Sequence, residues 1–143
     1  MIEVECGQQR CGVQVGDDLV ERIQAIQITD GVSYAGVQAY SGHLQHVKGY
    51  CSRNEQARSV VVPLFDFIRS TLEPKGMAPH IISGGGTGTY TAYQGLGYSE
   101  IQAGSYLFMD AAYLAIGDET NATKNQQFSP ALKVLSTVIS QPT

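Results

Sequence analysis

Residues 79–89, PHIISGGGTGT, decide the predicted fold and the predicted site. Ile81 and Ile82 are β-branched, which is typical of the end of a short buried strand, and the glycines that follow stop any regular element. Glycine has no Cβ, so consecutive glycine amides can point at one spot in backbone conformations that other residues avoid. The stretch therefore predicts a buried strand that ends in a cup of backbone N–H groups.

A cup of backbone N–H groups suits an anion, and a phosphate above all, because it needs no lysine or arginine at first contact. Thr87 and Thr89 add hydroxyl donors within the same loop. Neither of the nucleotide-binding fingerprints G-x-G-x-x-G and G-x-x-x-x-G-K-[ST] occurs. The residues alone therefore leave a flexible loop open as the alternative.

Length and composition narrow the class of protein. With 143 residues, of which 43% are hydrophobic, the chain can form one domain with a core but is too short for a complete (β/α)8 barrel. A net charge of −4 gives no sign of a nucleic-acid or anionic-membrane surface, so we expect a small-molecule partner. The lack of a long apolar run or a signal-like amino terminus predicts a cytoplasmic protein. Three cysteines without a C-x-x-C pair predict free thiols rather than a structural zinc site.

The hydrophobic pattern alternates between strands and helices. One helix is predicted to begin at Asp17 or Asp18 and to stop at Asp30, and another to begin at Ser52, which forms a capping box with Glu55. Strands are predicted at residues 1–6, 32–40, 81–82, 99–108 and 131–139, the last ended by Pro142. The remaining segments are predicted to be a covered loop or short helix at 90–98, a helical turn at 110–116 and a loose polar stretch at 117–130.

This order predicts an α/β protein with parallel strands, outer helices and ligand-binding residues in the loops after the strands. Arg10 follows the first predicted strand. Tyr40 ends the second, close in sequence to His43 and His46, and the glycines follow the third. Three polar clusters are thus expected on one rim of the sheet.

Five segments resemble, in the same order, the barrel of fold-type III pyridoxal-phosphate enzymes of the D-threonine aldolase, D-serine dehydratase and D-threo-3-hydroxyaspartate dehydratase group. The segments are IEVECGQQRCGV, YAGVQAYSGHLQH, ISGGGTGT, EIQAGSYLFMD and VLSTVISQP. The resemblance implies a single domain over residues 1–143 that corresponds to the second half of an alanine racemase-like barrel. The implied fold is an α/β partial (β/α) barrel of about four parallel strands with outer helices plus a C-terminal extra strand. Residues 131–141 would correspond to the first strand of the family's β domain.

The resemblance also implies a cofactor-binding set on this rim. Gly84, Gly85, Gly86 and Thr87 resemble the residues that hold the phosphate of pyridoxal phosphate in the family. Ser105 is a further candidate for a phosphate contact. The expected partner is therefore a phosphate-bearing small molecule.

Three more residues resemble positions around the cofactor ring. Arg10 resembles the arginine that hydrogen-bonds the phenolic oxygen, with a surface ion pair as the alternative. Tyr40 resembles the aromatic residue beside the ring, with an ordinary core tyrosine as the alternative. Gln102 resembles the residue that faces the pyridine nitrogen, where a neutral amide cannot keep the ring protonated as a carboxylate would. The family commonly reads AYHG where this chain reads AYSGH, so His43 is a candidate for the histidine that is missing from the motif.

The lysine to which the family attaches its cofactor lies in a segment with no counterpart here, and the family's metal ligands are missing too. The lysines of this chain fall outside that motif, at Lys48, Lys75, Lys124 and Lys133. Without the amine, we expect non-covalent binding of pyridoxal phosphate only, no catalytic residue and no divalent metal. The chain is therefore expected to be a truncated or split relative of the D-amino-acid aldolases and dehydratases that is inactive alone.

Two alternatives stay open: a partner chain that supplies the lysine, and a non-enzymatic protein that uses the half barrel as an interaction surface. Half of a barrel exposes strand edges and is expected to expose an apolar interior wall. A homo-oligomer, in particular a dimer, is therefore expected in each case. Neither nucleic acid nor a membrane is expected as a partner.

Overall fold

The computed structural model describes residues 1–141. Its sheet contains four strands in the spatial order β1-β2-β3-β4, namely β1 (Ile2–Glu3), β2 (Gly36–Ala39), β3 (Ile81–Gly84) and β4 (Glu100–Ile101). Every neighbouring pair is parallel. Parallel neighbours need crossover connections, and the helices and loops between the strands provide them. The predicted α/β class with four parallel strands is therefore confirmed.

The register of the strands gives the sheet one apolar face. Ile2 pairs with Val37, Val37 pairs with Ile82, and all three side chains are buried. They belong to one hydrophobic core with residues of the helices α1 (Asp17–Gln27) and α2 (Tyr50–Phe67). This core fixes β2 and β3, whose carboxyl ends carry the candidate site.

The other face of the sheet is polar. Its cross-strand row consists of Glu3, Gln38, Ser83 and Glu100, each paired with the next. Side chains alternate between the two faces along a strand, so this row points away from the core. The expected apolar interior wall does not include this row, because its residues are one position out of phase with the apolar row.

Helix α1 begins without the predicted side-chain cap. It follows Gly16, and no side chain accepts a hydrogen bond from its first amides. Asp17 and Asp18 instead lie in the first turn, where negative charge interacts favourably with the helix dipole. The helix ends at Gln27, ahead of the predicted stop at Asp30.

Helix α2 begins earlier than the predicted capping box. It follows Gly49, so Ser52 and Glu55 lie inside the helix and do not cap it. Gly49 has a φ of +86°, which favours glycine, and its amide donates to the carbonyl of Ile116 at 3.1 Å. This tertiary contact starts the helix at Tyr50, and after Phe67 the chain continues as a π-helical turn over Ile68–Leu72.

The chain after β3 forms short elements. β4 ends at Ile101, so the strand predicted over residues 99–108 is wrong beyond that point. The backbone N–H of Gln102 donates to the carbonyls of Gly84 and Gly85 at 3.1 and 3.0 Å, which closes the pairing with β3. The short helix predicted as one alternative for residues 90–98 is confirmed as a 3-10 helix at Tyr90–Tyr93, and the predicted helical turn is confirmed as α3 (Ala111–Leu114). A further 3-10 helix, Ser105–Leu107, lies where the strand was predicted.

The polar segment at residues 117–130 is hydrogen-bonded rather than loose, contrary to the prediction. Asp118 is 5% exposed, and its carboxylate accepts hydrogen bonds from the amides of Thr120, Asn121 and Gln126. Asn125 is also buried. Asp118 therefore organises this segment through its side chain, which composition alone does not reveal.

Residues 131–141 form no regular element, so the predicted fifth strand is wrong for the described chain. A strand needs a neighbour for its backbone groups, and the one backbone hydrogen bond of this segment runs from Ala131 to Phe108. The apolar side chains are exposed, at Leu132, Val134, Leu135, Val138 and Ile139. Pro142 lies outside the described residues, and the correspondence to a β domain stays a prediction.

Candidate functional site

The predicted site residues lie at the carboxyl end of the sheet. Arg10 lies in the loop after β1, Tyr40 directly after β2, and Gln102 and Ser105 after β4. The glycine loop, defined here as residues 84–89, begins at the last residue of β3. The carboxyl ends of parallel strands meet at one edge, so the structure brings these segments to a common rim.

The glycine loop is packed and buried along its whole length. A Cβ on Gly84 would collide with the carbonyl oxygen of Ala39, and a Cβ on Gly86 would lie 2.5 Å from Oε1 of Gln45. Gly85 has a φ of +71°, and a Cβ there would lie 2.8 Å from the ring of Tyr93. The glycines are thus required by close approach and by backbone conformation. The structure does not support the alternative of a flexible loop.

Gln45 holds the glycine loop through hydrogen bonds. It is 2% exposed, and its Oε1 accepts from the amide of Gly88 at 3.0 Å. Its Nε2 donates to Thr89 Oγ1 at 2.9 Å, and that hydroxyl oxygen also accepts from the amide of Gly86 at 3.2 Å. The carbonyl of Gly86 accepts in turn from the amide of Thr89 at 3.0 Å. Gly86 and Gly88 therefore direct their N–H groups into the protein.

One amide of the loop remains for a ligand. In the register of β2 and β3, the N–H of Gly85 faces the carbonyl of Ala39. Within residues 1–141, the buried N–H of Thr87 donates to no protein acceptor. Buried amides normally have a partner, so this donor calls for one. The cup is thus narrower than a nest of all the glycine amides, and Thr87 supplies the donor that fits an anion.

A small cavity lies beside Thr87. Its volume is about 180 Å³, and its lining consists of Thr87, Tyr90, Ile101, Ala103, Tyr106 and Phe128. The hydroxyl oxygen of Thr87 accepts a 3.0 Å hydrogen bond from the amide of Tyr106, the residue after Ser105. Ser105 is half-buried at this point, so it lies on the same rim as the glycine loop.

Tyr40 lies beside the glycine loop. A Cβ on Gly86 would be 3.1 Å from the Tyr40 hydroxyl, so the phenol and the loop backbone are neighbours. Burial raises the pKa of Tyr40, and Tyr113 adds to the rise while the charge of Arg10 opposes it. The raised pKa keeps the phenol protonated at neutral pH, and a neutral hydroxyl can donate to an anion.

Arg10 is on the surface. Its guanidinium Nη2 lies 3.2 Å from Glu3 Oε1, and its side chain is 57% exposed. This is the surface ion pair that the sequence left open as the alternative. Exposed pairs of this kind contribute little to stability. Within the described chain, no hydrogen bond connects Arg10 to the glycine loop.

Gln102 joins the rim of β4 to that of β3. Its Nε2 donates to Ser83 Oγ at 2.8 Å, so one of its polar groups is engaged by the protein. Its backbone amide donates to the carbonyls of Gly84 and Gly85. Gln102 thereby fixes the start of the glycine loop, whatever further contact its side chain makes.

Arg53 is a residue of this site that sequence reasoning missed. Its side chain is 2% exposed and donates to four backbone carbonyls, including Gly88 of the glycine loop at 2.6 Å. A signal was available in the sequence, because Arg53 precedes Ala57 and Val61 at intervals of four residues. The helical spacing therefore places Arg53 on the buried face of α2.

The histidine and lysine candidates lie on the surface. His43 is exposed, and its ring would be 3.3 Å from a Cβ on Gly7. All the lysines are exposed as well, namely Lys48, Lys75, Lys124 and Lys133. Across residues 1–141, no three His, Cys, Asp or Glu side chains come together in a way that could hold a metal ion. None of the helices in that range is both long and apolar enough to cross a membrane.

The amino-acid sequence of the chain is similar to those of known aldolases. The chain is 36% identical over 141 residues to 3-hydroxy-D-aspartate aldolase of Paracoccus denitrificans (strain Pd 1222), covering 97% of this chain and 36% of the relative. It is 40% identical over 146 aligned positions to D-threonine aldolase of an Arthrobacter species, covering 99% of this chain and 36% of the relative. The chain is a relative of the D-threonine and 3-hydroxy-D-aspartate aldolases. It spans about a third of the length of these aldolases, and no protein-family profile matches it.

Two solved structures share this fold. The crystal structure of D-threonine aldolase from Filomicrobium marinum superposes with a TM-score of 0.76 at 31% identity, over 92% of this chain and 35% of the aldolase. An alanine racemase-like protein from Idiomarina loihiensis superposes with a TM-score of 0.58 at 22% identity and shows a shared fold. The parallel sheet of this aldolase relative is therefore a partial, barrel-like piece of a larger fold.

Proposed function

We propose that this chain supplies the phosphate-binding rim of a pyridoxal-phosphate site in an aldolase of 3-hydroxy-D-amino acids. The single observation that carries the proposal is the buried amide of Thr87, which lacks a protein acceptor among residues 1–141. It lies in the loop after β3, in a chain related to D-threonine and 3-hydroxy-D-aspartate aldolases.

The residues divide the work of holding the cofactor. Thr87 donates its N–H group to the phosphate, and the neutral phenol of Tyr40 lies beside the same loop as a further donor. Gln45 and Gln102 keep the loop backbone in place through the hydrogen bonds described above. When bound, pyridoxal phosphate supplies the electron sink for carbanion chemistry, and the protein supplies binding and orientation.

On its own, the chain is expected to bind the cofactor without a covalent bond and without cleaving substrate. Its lysines are all exposed, and a solvated amine on a mobile side chain is a poor nucleophile at neutral pH. Aldol cleavage would then require a segment or partner chain that contributes a buried lysine. Co-expression with an amino-terminal half barrel of such an aldolase, followed by a D-threonine cleavage assay, tests this requirement.

Calorimetric titration with pyridoxine 5′-phosphate tests the binding proposal. This alcohol keeps the ring and the phosphate but cannot form an imine with surface lysines, which would confuse a titration with the aldehyde. We expect saturable binding that inorganic phosphate competes away, and no saturable binding of pyridoxine. Absence of saturable binding, or binding that phosphate leaves unchanged, would contradict the proposal.

A glycine substitution tests whether the glycine loop is the binding site. Gly86→Ala places a Cβ against Gln45 Oε1 and the Tyr40 hydroxyl, so it should displace the loop and weaken pyridoxine 5′-phosphate binding by at least about tenfold. Gly104→Ala is the matched control, because Gly104 has an ordinary φ of −131° and no atom near its Cβ position. Gly104→Ala should bind pyridoxine 5′-phosphate with the same affinity as the unmodified chain.

An apolar surface beside β4 supports a second proposal, the self-association of the chain. Ile101, on the edge strand β4, is 43% exposed, and Leu107 and Phe108, which follow β4 in the chain, are 60% and 63% exposed. Exposed apolar residues at an unpaired edge favour association with a second copy. Sedimentation velocity should show a dimer, and a monomer at all concentrations would defeat the proposal.

A further inference from the structure

Arg53 is a buried cation without a carboxylate partner among residues 1–141. Four of its guanidinium N–H donors go to backbone carbonyls of three separate segments. The acceptors are Gly88 at 2.6 Å, Val47 at 2.8 Å, Ile116 at 2.8 Å and Gly117 at 2.9 Å. Burial lowers the pKa of Arg53, while Tyr50 and Asp118 oppose this shift, and the group stays charged because an arginine does not lose its proton in proteins.

The contact to Gly88 begins a chain of hydrogen-bonded peptide groups. Arg53 Nε donates to the carbonyl of Gly88, which shares a peptide group with the amide of Thr89. The amide of Thr89 donates at 3.0 Å to the carbonyl of Gly86, which shares the next peptide group with the amide of Thr87. The chain ends at Thr87, whose N–H has no protein acceptor within the described residues.

A charge at one end of such a chain affects the other end. A hydrogen bond to the carbonyl of a peptide group polarises that group, so the N–H of the same peptide group becomes a stronger donor. Successive bonds of this kind reinforce one another. The effect is larger in a buried site than in water, because the local dielectric constant is low. Gln45 restrains the same loop from the other side through Gly88, so the two peptide groups keep their orientation.

We infer that Arg53 is a positioning residue of the proposed phosphate site, and that it orients and polarises the Thr87 amide through the peptide groups of Gly88 and Gly86. The inference rests on the proposed function, because it assigns to Arg53 a role in binding the phosphate. Arg53 does not touch the ligand. Its charge favours a dianion at the Thr87 amide without an arginine or lysine on the open side of the site.

The test compares pyridoxine 5′-phosphate with pyridoxine in calorimetric titrations of the whole chain. The variants are Arg53→Lys, which keeps the charge but loses the fork of donors, and Arg53→Met, which removes the charge. Arg58→Met is the matched control. Arg58 is on the same helix, but it donates to the carbonyl of Ala92, which is not one of the hydrogen-bonded peptide groups between Arg53 and Thr87. Thermal unfolding of each variant establishes that the protein titrated is folded.

Arg53→Lys should weaken pyridoxine 5′-phosphate binding about five- to tenfold and Arg53→Met by more, with Arg58→Met within about twofold of the unmodified chain. In the ligand-free protein, the Thr87 amide proton should move upfield in Arg53→Lys, which a role in global stability alone would not cause. Unchanged binding of the phosphate compound in folded Arg53→Lys would overturn the inference.

The two levels of failure are distinguishable. If the unmodified chain binds neither inorganic phosphate nor pyridoxine 5′-phosphate, the proposed function fails and the inference fails with it. If the unmodified chain binds and the Arg53 variants bind equally well, only the role of Arg53 is refuted. If Arg53→Met does not fold, the result with Arg53→Lys and the Thr87 amide shift decide.

Discussion

Gln45 and Gly88 are 43 residues apart in the sequence, and the side chain of one fixes the backbone of the other. Gln45 Oε1 accepts a 3.0 Å hydrogen bond from the amide of Gly88, and both residues are buried. A Cβ on Gly88 would collide with the backbone carbonyl of Gln45, so only glycine permits this approach. The glycine loop owes its shape to this contact as much as to its composition.

Replacing Gln45 should destabilise the protein. Gln45→Leu leaves the buried Gly88 amide without an acceptor and removes a donor from Thr89, so the free energy of unfolding in urea should fall by about 1–3 kcal/mol. Gln56→Leu is the control, because Gln56 makes an exposed hydrogen bond to Ser52, and it should change the same free energy by no more than about 0.5 kcal/mol. Equal effects of the two substitutions would refute the assigned role of Gln45.

Gly84 should tolerate no side chain. Gly84→Ala brings a Cβ against the Ala39 carbonyl and within 2.7 Å of the Tyr98 ring, so we expect a loss of at least about 2 kcal/mol in the free energy of unfolding. Gly104→Ala meets no atom within 4 Å and should change stability by less than about 1 kcal/mol, on the stabilising side. Urea unfolding of both variants provides the measurement, and a folded Gly84→Ala of unchanged stability would contradict the packing described here.

Asp118 should make stability depend on acidic pH. The amide of Gln126 and three donors from Thr120 and Asn121 lower the pKa of Asp118 to about 2, against the partial opposition of burial. The Asp118 carboxylate therefore binds a proton at higher pH in the unfolded chain than in the folded one. Its contribution to the stability of the folded state is full above pH 4 and is lost as the pH falls towards 2. Urea unfolding between these values should show the loss.

Asp118→Asn is the variant that checks this assignment. It should be less stable than the unmodified chain at pH 7 and should depend less on pH below pH 4. A pH profile identical to that of the unmodified chain would show that another carboxylate is responsible.

The exposed segment at residues 131–141 should contribute to association and not to folding. Its apolar side chains are exposed, and its one backbone hydrogen bond is made by Ala131. Truncation after Ala131 should leave the free energy of unfolding unchanged within about 0.5 kcal/mol. Sedimentation should show weaker self-association of the truncated chain, and a clear loss of stability would mean that the segment packs against the domain.

The sequence predicts the strands and the rim because these depend on local signals. β-branched residues before the glycines locate β3, and the alternation of strands with helices gives the parallel order without any long-range information. The fifth strand was wrong because the same alternating pattern occurs at residues 131–139, where the described chain offers no partner strand. Pattern alone does not supply a hydrogen-bonding neighbour.

The contacts that shape the site were beyond local reasoning. Arg53 reaches Gly88 across 35 positions and Gly117 across 64, and neither separation leaves a periodic trace in the sequence. The start of α2 was misplaced for the same reason, because the Gly49 amide bonds to Ile116 far along the chain. Long-range contacts also determine how many amides of the glycine loop are free to bind an anion. The composition of the loop therefore predicted more free amides than the structure has.

Amide resonances of the glycine loop test the central claim most directly. In a two-dimensional 1H–15N spectrum of the chain, titration with inorganic phosphate should move the Thr87 amide proton downfield in a saturable manner, because a hydrogen bond to an anion deshields it. The Gly86 and Gly88 amides, which already donate to Thr89 and Gln45, should move much less. A Thr87 amide resonance that stays in place at saturating phosphate would contradict the account.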